Sequence, residues 1–456
     1  MLLHFTPLTI ARIARPVAIA AVAQFLAACA TYTPDPLPDM QAPIDRASVP
    51  SLVRAYPAGE AQGDIPINLT QPLTEDAIAA LAVLANPDLE AQRARAGISD
   101  AQVYAAGLMP DPTISLGLDH ILSGPDPVDA LTGALGLDIN ALRTRAATRR
   151  KAQAEQHQAR MDLVWAEWQT AGQARLQAVR IVSLEERAQL LSASHLSARS
   201  LFESYRAAAA RGDVAADQLQ TARLAEADAF QSEQLAEKDL AAARLELNRL
   251  LGLRPEAELR LAPLTMTDPS INAAKLFEIA RAGRSDLRAL REGYAAQEAA
   301  LRKAVLDQFP TLDLTINGGR DTGKNITVGP AVGFTLPLWN RNRGGIAIEK
   351  ATREALKSEY EARLFQTRAD IASAVSGLNR ARAQYRDQKA GLGSAQARAV
   401  SSRSAASRGD ISRATAEVAE QTLRDRTAMV VQSAQDVAEQ TIALELLTGV
   451  SREQWQ

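Results

Sequence analysis

The chain has one cysteine, Cys29, and four histidines in 456 residues. A disulfide framework is excluded, and a zinc site built from these residue types nearly so. Aromatics make up 4%, low for a protein with one large globular core. Neither sign of charge is in excess: 51 basic against 53 acidic residues gives −2. That leaves no electrostatic case for nucleic acid or a strongly anionic partner. No nucleophile–base set stands out, so the chain reads as neither an enzyme nor a cofactor protein. His120, His157 and His195 lie too far apart in sequence to suggest a metal site, and the last two read as solvated helix residues.

The one strongly apolar run, Val17 to Ala28, is too short to span a bilayer as a mature helix. Arg12 and Arg15 precede it, and it ends Leu26-Ala27-Ala28-Cys29, which resembles a bacterial lipobox. On that resemblance residues 1–28 are a signal peptide and Cys29 is lipidated, anchoring the mature N-terminus to a membrane. Ala30, rather than an aspartate, follows the cysteine and implies sorting to the outer membrane. Residues 29–70 contain Pro34, Pro36, Pro38, Pro43, Pro50 and Pro57 without apolar periodicity, the composition of an extended tether.

What the chain does have is a duplication. Arg211-Gly212-Asp213-Val214 returns as Arg408-Gly409-Asp410-Ile411, 197 positions later. The same offset aligns Leu250-Leu251-Gly252-Leu253 with Leu447-Thr448-Gly449-Val450. It is too long for a solenoid period and marks two domain-scale copies, 71–270 and 271–456.

Each copy reads helix, strand, strand, helical hairpin. Thr74 is a helix N-cap before a segment reaching Leu108 with a break at Asn86-Pro87. Alternation predicts strands at 113–118 and about 131–139. A proline-free stretch over 141–210 predicts a helix of about 105 Å. Gly212 ends it, Asp213 is expected to cap the return helix, and that helix runs from Val214 to Leu250. The second copy predicts a helix over 273–308, a strand through Leu312, Leu314 and Ile316, and a Gly-rich loop over 318–327. A strand through Val332, Phe334 and Leu336 follows, then helices over 343–407 and 411–447. The lengths suggest interlocking: 214–250 with 273–308 beside the first long helix, 411–447 with 75–108 beside the second.

Four strands with one apolar face, carrying Ile114, Leu116, Leu312, Leu314, Ile316, Val332, Phe334 and Leu336, cannot stand alone in lipid. Open sheet edges there leave backbone groups unsatisfied, and closed bacterial barrels need about eight strands or more. Lipid-facing strands therefore require several chains to share one barrel.

Leu73-Thr74-Glu75-Asp76-Ala77, Ala85-Asn86-Pro87-Asp88-Leu89, Gly107-Leu108-Met109-Pro110-Asp111-Pro112-Thr113 and Phe334-Thr335-Leu336-Pro337-Leu338-Trp339-Asn340-Arg341-Asn342-Arg343-Gly344 resemble the TolC-type outer-membrane efflux proteins. The last segment is most similar to the heavy-metal (cation) branch. The resemblance implies a mainly α fold with a small β part: a homotrimeric α-barrel in the periplasm under a shared 12-stranded outer-membrane barrel, four strands per chain. It implies a passive duct whose partners are a periplasmic adaptor and an inner-membrane pump of the proton-driven RND type. Metal cations or small toxic compounds would be the cargo. A type I secretion channel shares the fold, and a pore-less periplasmic lipoprotein is the alternative of a different class. The resemblance puts the adaptor-contacting tips at Arg211, Gly212, Asp213, Val214, Arg408, Gly409, Asp410 and Ile411. The last turns before them suggest a gate of Glu203, Arg206 and Arg403, with Glu203–Arg403 ion pairs between neighbouring helices.

Overall fold

The computed structural model describes residues 32–37, 67–68, 70–120, 122–123, 128–266 and 269–455. The chain divides into two units, 1–46 and 47–456. In the first, 32–37 is exposed chain without regular structure. The expected signal peptide, Cys29 and most of the tether lie outside the described residues.

The second unit runs α1 (Glu75–Ala85), α2 (Pro87–Gly107), β1 (Thr113–Asp119), β2 (Ala130–Asp138), α3 (Ile139–Ala210) and α4 (Ala216–Leu250). The order then repeats as α5 (Ala273–Gly283), α6 (Ser285–Leu306), β3 (Leu312–Arg320), β4 (Ile326–Phe334), α7 (Arg343–Ser407) and α8 (Arg413–Thr448). A 3₁₀ turn at Arg452–Trp455 closes the chain. The strands form one antiparallel sheet in the order β1-β2-β3-β4. The expected loop over 318–327 is shorter: Gly318 and Gly319 pair within β3, and the turn proper occupies Asp321 to Asn325. Ile139 opens α3 instead of ending β2, and Leu336 lies just beyond β4.

Local chemistry explains the helix starts. Thr74 Oγ1 accepts from the Ala77 amide, and Asp138 Oδ1 accepts from the Ala141 amide. Asn86 ends α1 and caps α2, its Oδ1 accepting from the Leu89 amide with Pro87 in the first turn. The second copy breaks at the matching place, Arg284, where ψ of 125° leaves the helical range. The continuous helix expected over 273–308 is therefore two helices. No proline or asparagine marks the break, so the sequence carries little sign of it.

Both breaks serve one purpose. Asn86 Nδ2 donates to the carbonyl of Leu250, and Arg284 Nη1 donates to the carbonyl of Leu447, at 2.9 and 3.0 Å. Each copy thus ties its opening helices to the end of its own last helix. The cores agree. One gathers Ile78, Ile181 and Leu247; the other gathers Leu276, Leu378 and Leu444. Those triplets correspond across the duplication.

The interlocking expected from helix lengths is corrected by these contacts. α6 and α8 each pack on both long helices, α3 and α7, and fill the space between them. α1, α2 and α4 pack on α3. On α3 the partners of α2 are Arg145, Gln156, Arg160 and Glu167, while Arg143, His157 and Trp165 meet α6 or Arg284 at its start. At 100° per residue these sets lie on opposite sides of the helix. α3 is therefore an inner stave, whereas α7 has neighbours on one side and keeps a free flank. Length sums were blind to which side of a stave a helix covers.

The glycine after α8 is required twice over. Gly449 has φ of +72°, and a Cβ there would stand 3.3 Å from Arg284 Cα and 2.9 Å from its Cγ. Gly409, at φ of +80°, has open space around it. Gly449→Ala is expected to cost about 2–3 kcal/mol in denaturant unfolding and Gly409→Ala about 1 kcal/mol, backbone strain alone. Equal costs would mean that the Arg284 contact is unimportant.

Candidate functional site

The sheet has two unlike faces. Cross-strand register places Ile114, Leu135, Ile316 and Pro330 in one row, with Leu137, Leu314 and Val332 in the next. Side chains in these rows point away from the rest of the chain: Leu116 is 82% exposed, Ile326 82% and Val328 78%. All eight apolar residues expected to share a face are exposed. The opposite face holds Thr113, Ser115, Thr132, Asp138, Asp313, Thr315 and Asn317 among glycines. It is crowded: a Cβ on Gly136 would meet Thr113 Oγ1 at 2.6 Å, and one on Gly117 would meet Thr132 Oγ1 at 2.5 Å. Small residues on one face and exposed branched residues on the other suit a wall curved toward its small side. β1 and β4 are both edges, each with an unpaired row of backbone groups.

The two helix reversals match to the hydrogen bond. The Asp213 amide donates to Ala208 O and the Gly212 amide to Ala209 O. Asp410 and Gly409 repeat this onto Ala405 and Ala406. Both are Schellman closures, with glycine at φ of +80°. Arg211 Nε donates to Asp213 at 2.8 Å and Arg408 Nε to Asp410 at 2.9 Å. The aspartates thus brace the turns instead of capping the return helices, correcting the expectation for Asp213. The N-caps are Ala215, with no side-chain bond, and Ser412, which accepts from the Thr415 amide. Arg, Gly and Asp are exposed in both turns, while Val214 and Ile411 are half-buried.

Just before the turns, the suggested ion pair between Glu203 and Arg403 is not formed within the chain. Glu203 binds Arg206 at 2.6 Å one turn along its own helix. Arg403 instead reaches across to α8 and binds Glu420 at 2.7 Å. That hydrogen bond holds the Glu420 carboxyl below its ordinary range. Glu420 was not anticipated; an acid opposite Arg403 on the return helix was its only signal.

Two further sites escape sequence reasoning. Glu445, 1% exposed, binds Arg175 Nη1 and Arg452 Nε, each at 2.7 Å. Glu75 lies 3.4–3.5 Å from the same arginines. The cluster joins α1, α3, α8 and the C-terminal turn. Its trace in the sequence is an acid inside Ala443-Leu444-Glu445-Leu446-Leu447. His195 is the other. Its side chain is 12% exposed and bridges Glu233 at 2.5 Å and Glu226 at 3.5 Å, so it is no solvated residue. The two acids meet opposite ring nitrogens, an arrangement unsuited to one shared metal. His157 is exposed as expected, and His120 pairs with Asp129. No metal-binding group of three or more such side chains occurs among the described residues. Among them, too, no helix is long and apolar enough to cross a membrane. Any membrane contact of the described chain falls to the sheet.

Residues 276–450 match the sequence profile of the family described as outer membrane efflux protein. No curated protein matches the chain by sequence. Among solved structures, the CmeC outer membrane channel of Campylobacter jejuni superposes with a TM-score of 0.69 at 16% identity, over 92% of this chain and 94% of that one. The outer membrane protein VceC of Vibrio cholerae gives 0.66 at 17%, over 84% and 97%. CusC, described in terms of transmembrane channel formation, gives 0.67 at 14%, over 83% and 92%. With the family profile on its second repeat and this fold along its length, the chain belongs to the TolC-type outer-membrane efflux proteins.

Proposed function

We propose that three copies of the chain form a passive outer-membrane duct, the exit of a tripartite efflux system driven by an inner-membrane RND pump. The observation that carries this reading is the open four-stranded sheet with an exposed apolar face and two unpaired edges. Three copies give twelve strands and satisfy every edge, with the small, polar face lining a lumen. α7's free flank would meet α2 and α4 of the next copy. Cys29 carries the lipid anchor, and the chain sits in the outer membrane with its helices in the periplasm. The reversals at Arg211–Val214 and Arg408–Ile411 are the adaptor-facing tips. Metal cations are the cargo that the Phe334–Gly344 segment favours, with other small toxic compounds as the wider class; the pump, not the duct, selects between them. Purified protein in a planar bilayer should show discrete conductance steps. A pore-less lipoprotein would show none.

The gate in this reading is the tie between α7 and α8. Arg403→Gln and Glu420→Gln should each raise single-channel conductance or open probability severalfold, while Glu203→Gln should leave both unchanged. Acid should do little above about pH 5. A carboxyl whose folded pKa is depressed keeps its contribution above the unfolded value near 4.3 and loses it only as pH falls through the lower folded one. Current unaffected by Arg403→Gln, or rising steadily between pH 8 and 5, would remove the tie from the gating mechanism.

A further inference from the structure

The strand–helix junctions all lie at one end of the sheet, since Thr113 pairs with Gly136 near the end of β2 and Leu312 pairs with Phe334 at the end of β4. Apolar side chains gather there without cover. Trp339 is 83% exposed, Leu336 63% and Leu338 58%; Phe309, Leu108 and Met109 are also exposed. Arginines stand among them. Arg341 Nε donates to the carbonyl of Pro337 and Arg343 Nη2 to that of Trp339, at 3.3 and 2.8 Å. Arg143 and Arg145 do the same for Pro310 and Leu108, each at 3.1 Å. None of these four makes an ion pair with a carboxylate among the described residues. Elsewhere in the chain arginines find acids repeatedly, as at Arg93, Arg244, Arg284 and Arg424.

The turn that presents two of them is fixed. Arg341 and Asn342 both have left-handed backbone, φ of 45° and 49°. Asn342 Nδ2 holds the turn by donating to the carbonyl of Ala304 at the end of α6, at 2.8 Å. Two neighbouring non-glycine residues in this region cost about 1–3 kcal/mol each, so the surrounding contacts must impose the turn. The result is an exposed tryptophan and leucines beside two cationic groups left without acids. An aromatic ring at headgroup depth beside guanidiniums is the chemistry of a membrane interface carrying negative charge.

We propose that this end of the sheet is a docking surface for anionic phospholipid in the adjoining leaflet. Arg341 and Arg343 bind the headgroup phosphate and Trp339 sits at the boundary with the acyl chains. The proposal rests on reading the sheet as membrane-facing and adds a lipid preference to it. The test uses full-length protein. Native mass spectrometry of the detergent-solubilised assembly, titrated with phosphatidylglycerol or phosphatidylcholine, should show preferential retention of phosphatidylglycerol. Arg341→Gln and Arg343→Gln should each weaken that retention about fivefold. In vesicles containing brominated lipid, Trp339 should supply most of the quenchable fluorescence, as the loss in Trp339→Phe would show. Equal retention of the two lipids by an assembly that still conducts would overturn the proposal and leave the duct standing. So would displacement of the lipid by millimolar inorganic phosphate, which would assign the arginines to a free anion. Failure of the wild-type protein to insert into bilayers at all would overturn both.

Discussion

Arginine in place of Ile316 should keep the chain out of the outer membrane. Ile316 is the middle residue of β3, with Leu135 on one side, Pro330 on the other and Ile114 one strand further. Its row crosses the whole sheet without a polar side chain. In a membrane barrel this row lies near the midplane, where an arginine on the lipid face costs about 2–4 kcal/mol. Every chain in the barrel carries the substitution, so the cost is multiplied by the copy number. Membrane fractions separated on a density gradient should contain Ile316→Arg at under a tenth of the wild-type level, and Ile316→Val at close to that level. Wild-type amounts of Ile316→Arg, with normal conductance, would mean that the face does not meet lipid.

Loss of Glu445 should destabilise the helical part more than any surface substitution. Its carboxylate is nearly inaccessible and neutralises Arg175, itself 8% exposed, and Arg452. Removing it leaves two guanidiniums in a buried place with Glu75 as their remaining close acid, 3.4–3.5 Å away. Breaking a buried pair from one side costs about 3–5 kcal/mol, a large fraction of what a domain has. Glu445→Ala should lower the urea midpoint of unfolding accordingly. Glu445→Gln, which keeps hydrogen-bonding atoms but no charge, should lie between it and the wild type. A midpoint within error of wild type for Glu445→Ala would show that the cluster holds nothing together.

Much of this architecture was legible in the sequence because period and punctuation are local. The strands declared themselves by alternation, the long helices by their missing prolines, and the reversals by Arg-Gly-Asp at one fixed offset. Asn86-Pro87 announced a break, whereas Arg284, at the same place in the second copy, did not. There the break is held by a contact 163 residues away, Arg284 to Leu447 O. The same limit governs the site. Arg403 was identified as a gate residue, but its partner Glu420 depends on how α8 lies against α7. Glu445, Arg175, Arg452 and Glu75 come from four separate stretches of chain and meet only after folding. His195 looked like a solvated helix residue until α4 brought Glu226 and Glu233 to it. Residues whose roles follow from their neighbours in sequence were found; residues defined by packing were not.

The shared barrel can be tested by a single disulfide experiment. β1 and β4 are the two outer strands, three strand spacings or about 14 Å apart within one chain, beyond reach of a disulfide. With Cys29 changed to serine, a cysteine at Ser115 paired in turn with one at Thr327, Gly329 or Ala331 can bridge only between chains. On oxidation in membranes, one of these pairs should give a ladder on non-reducing gels that stops at three chains. A chain that stays monomeric with every pair, or a ladder that runs past three, would contradict a closed barrel of three copies.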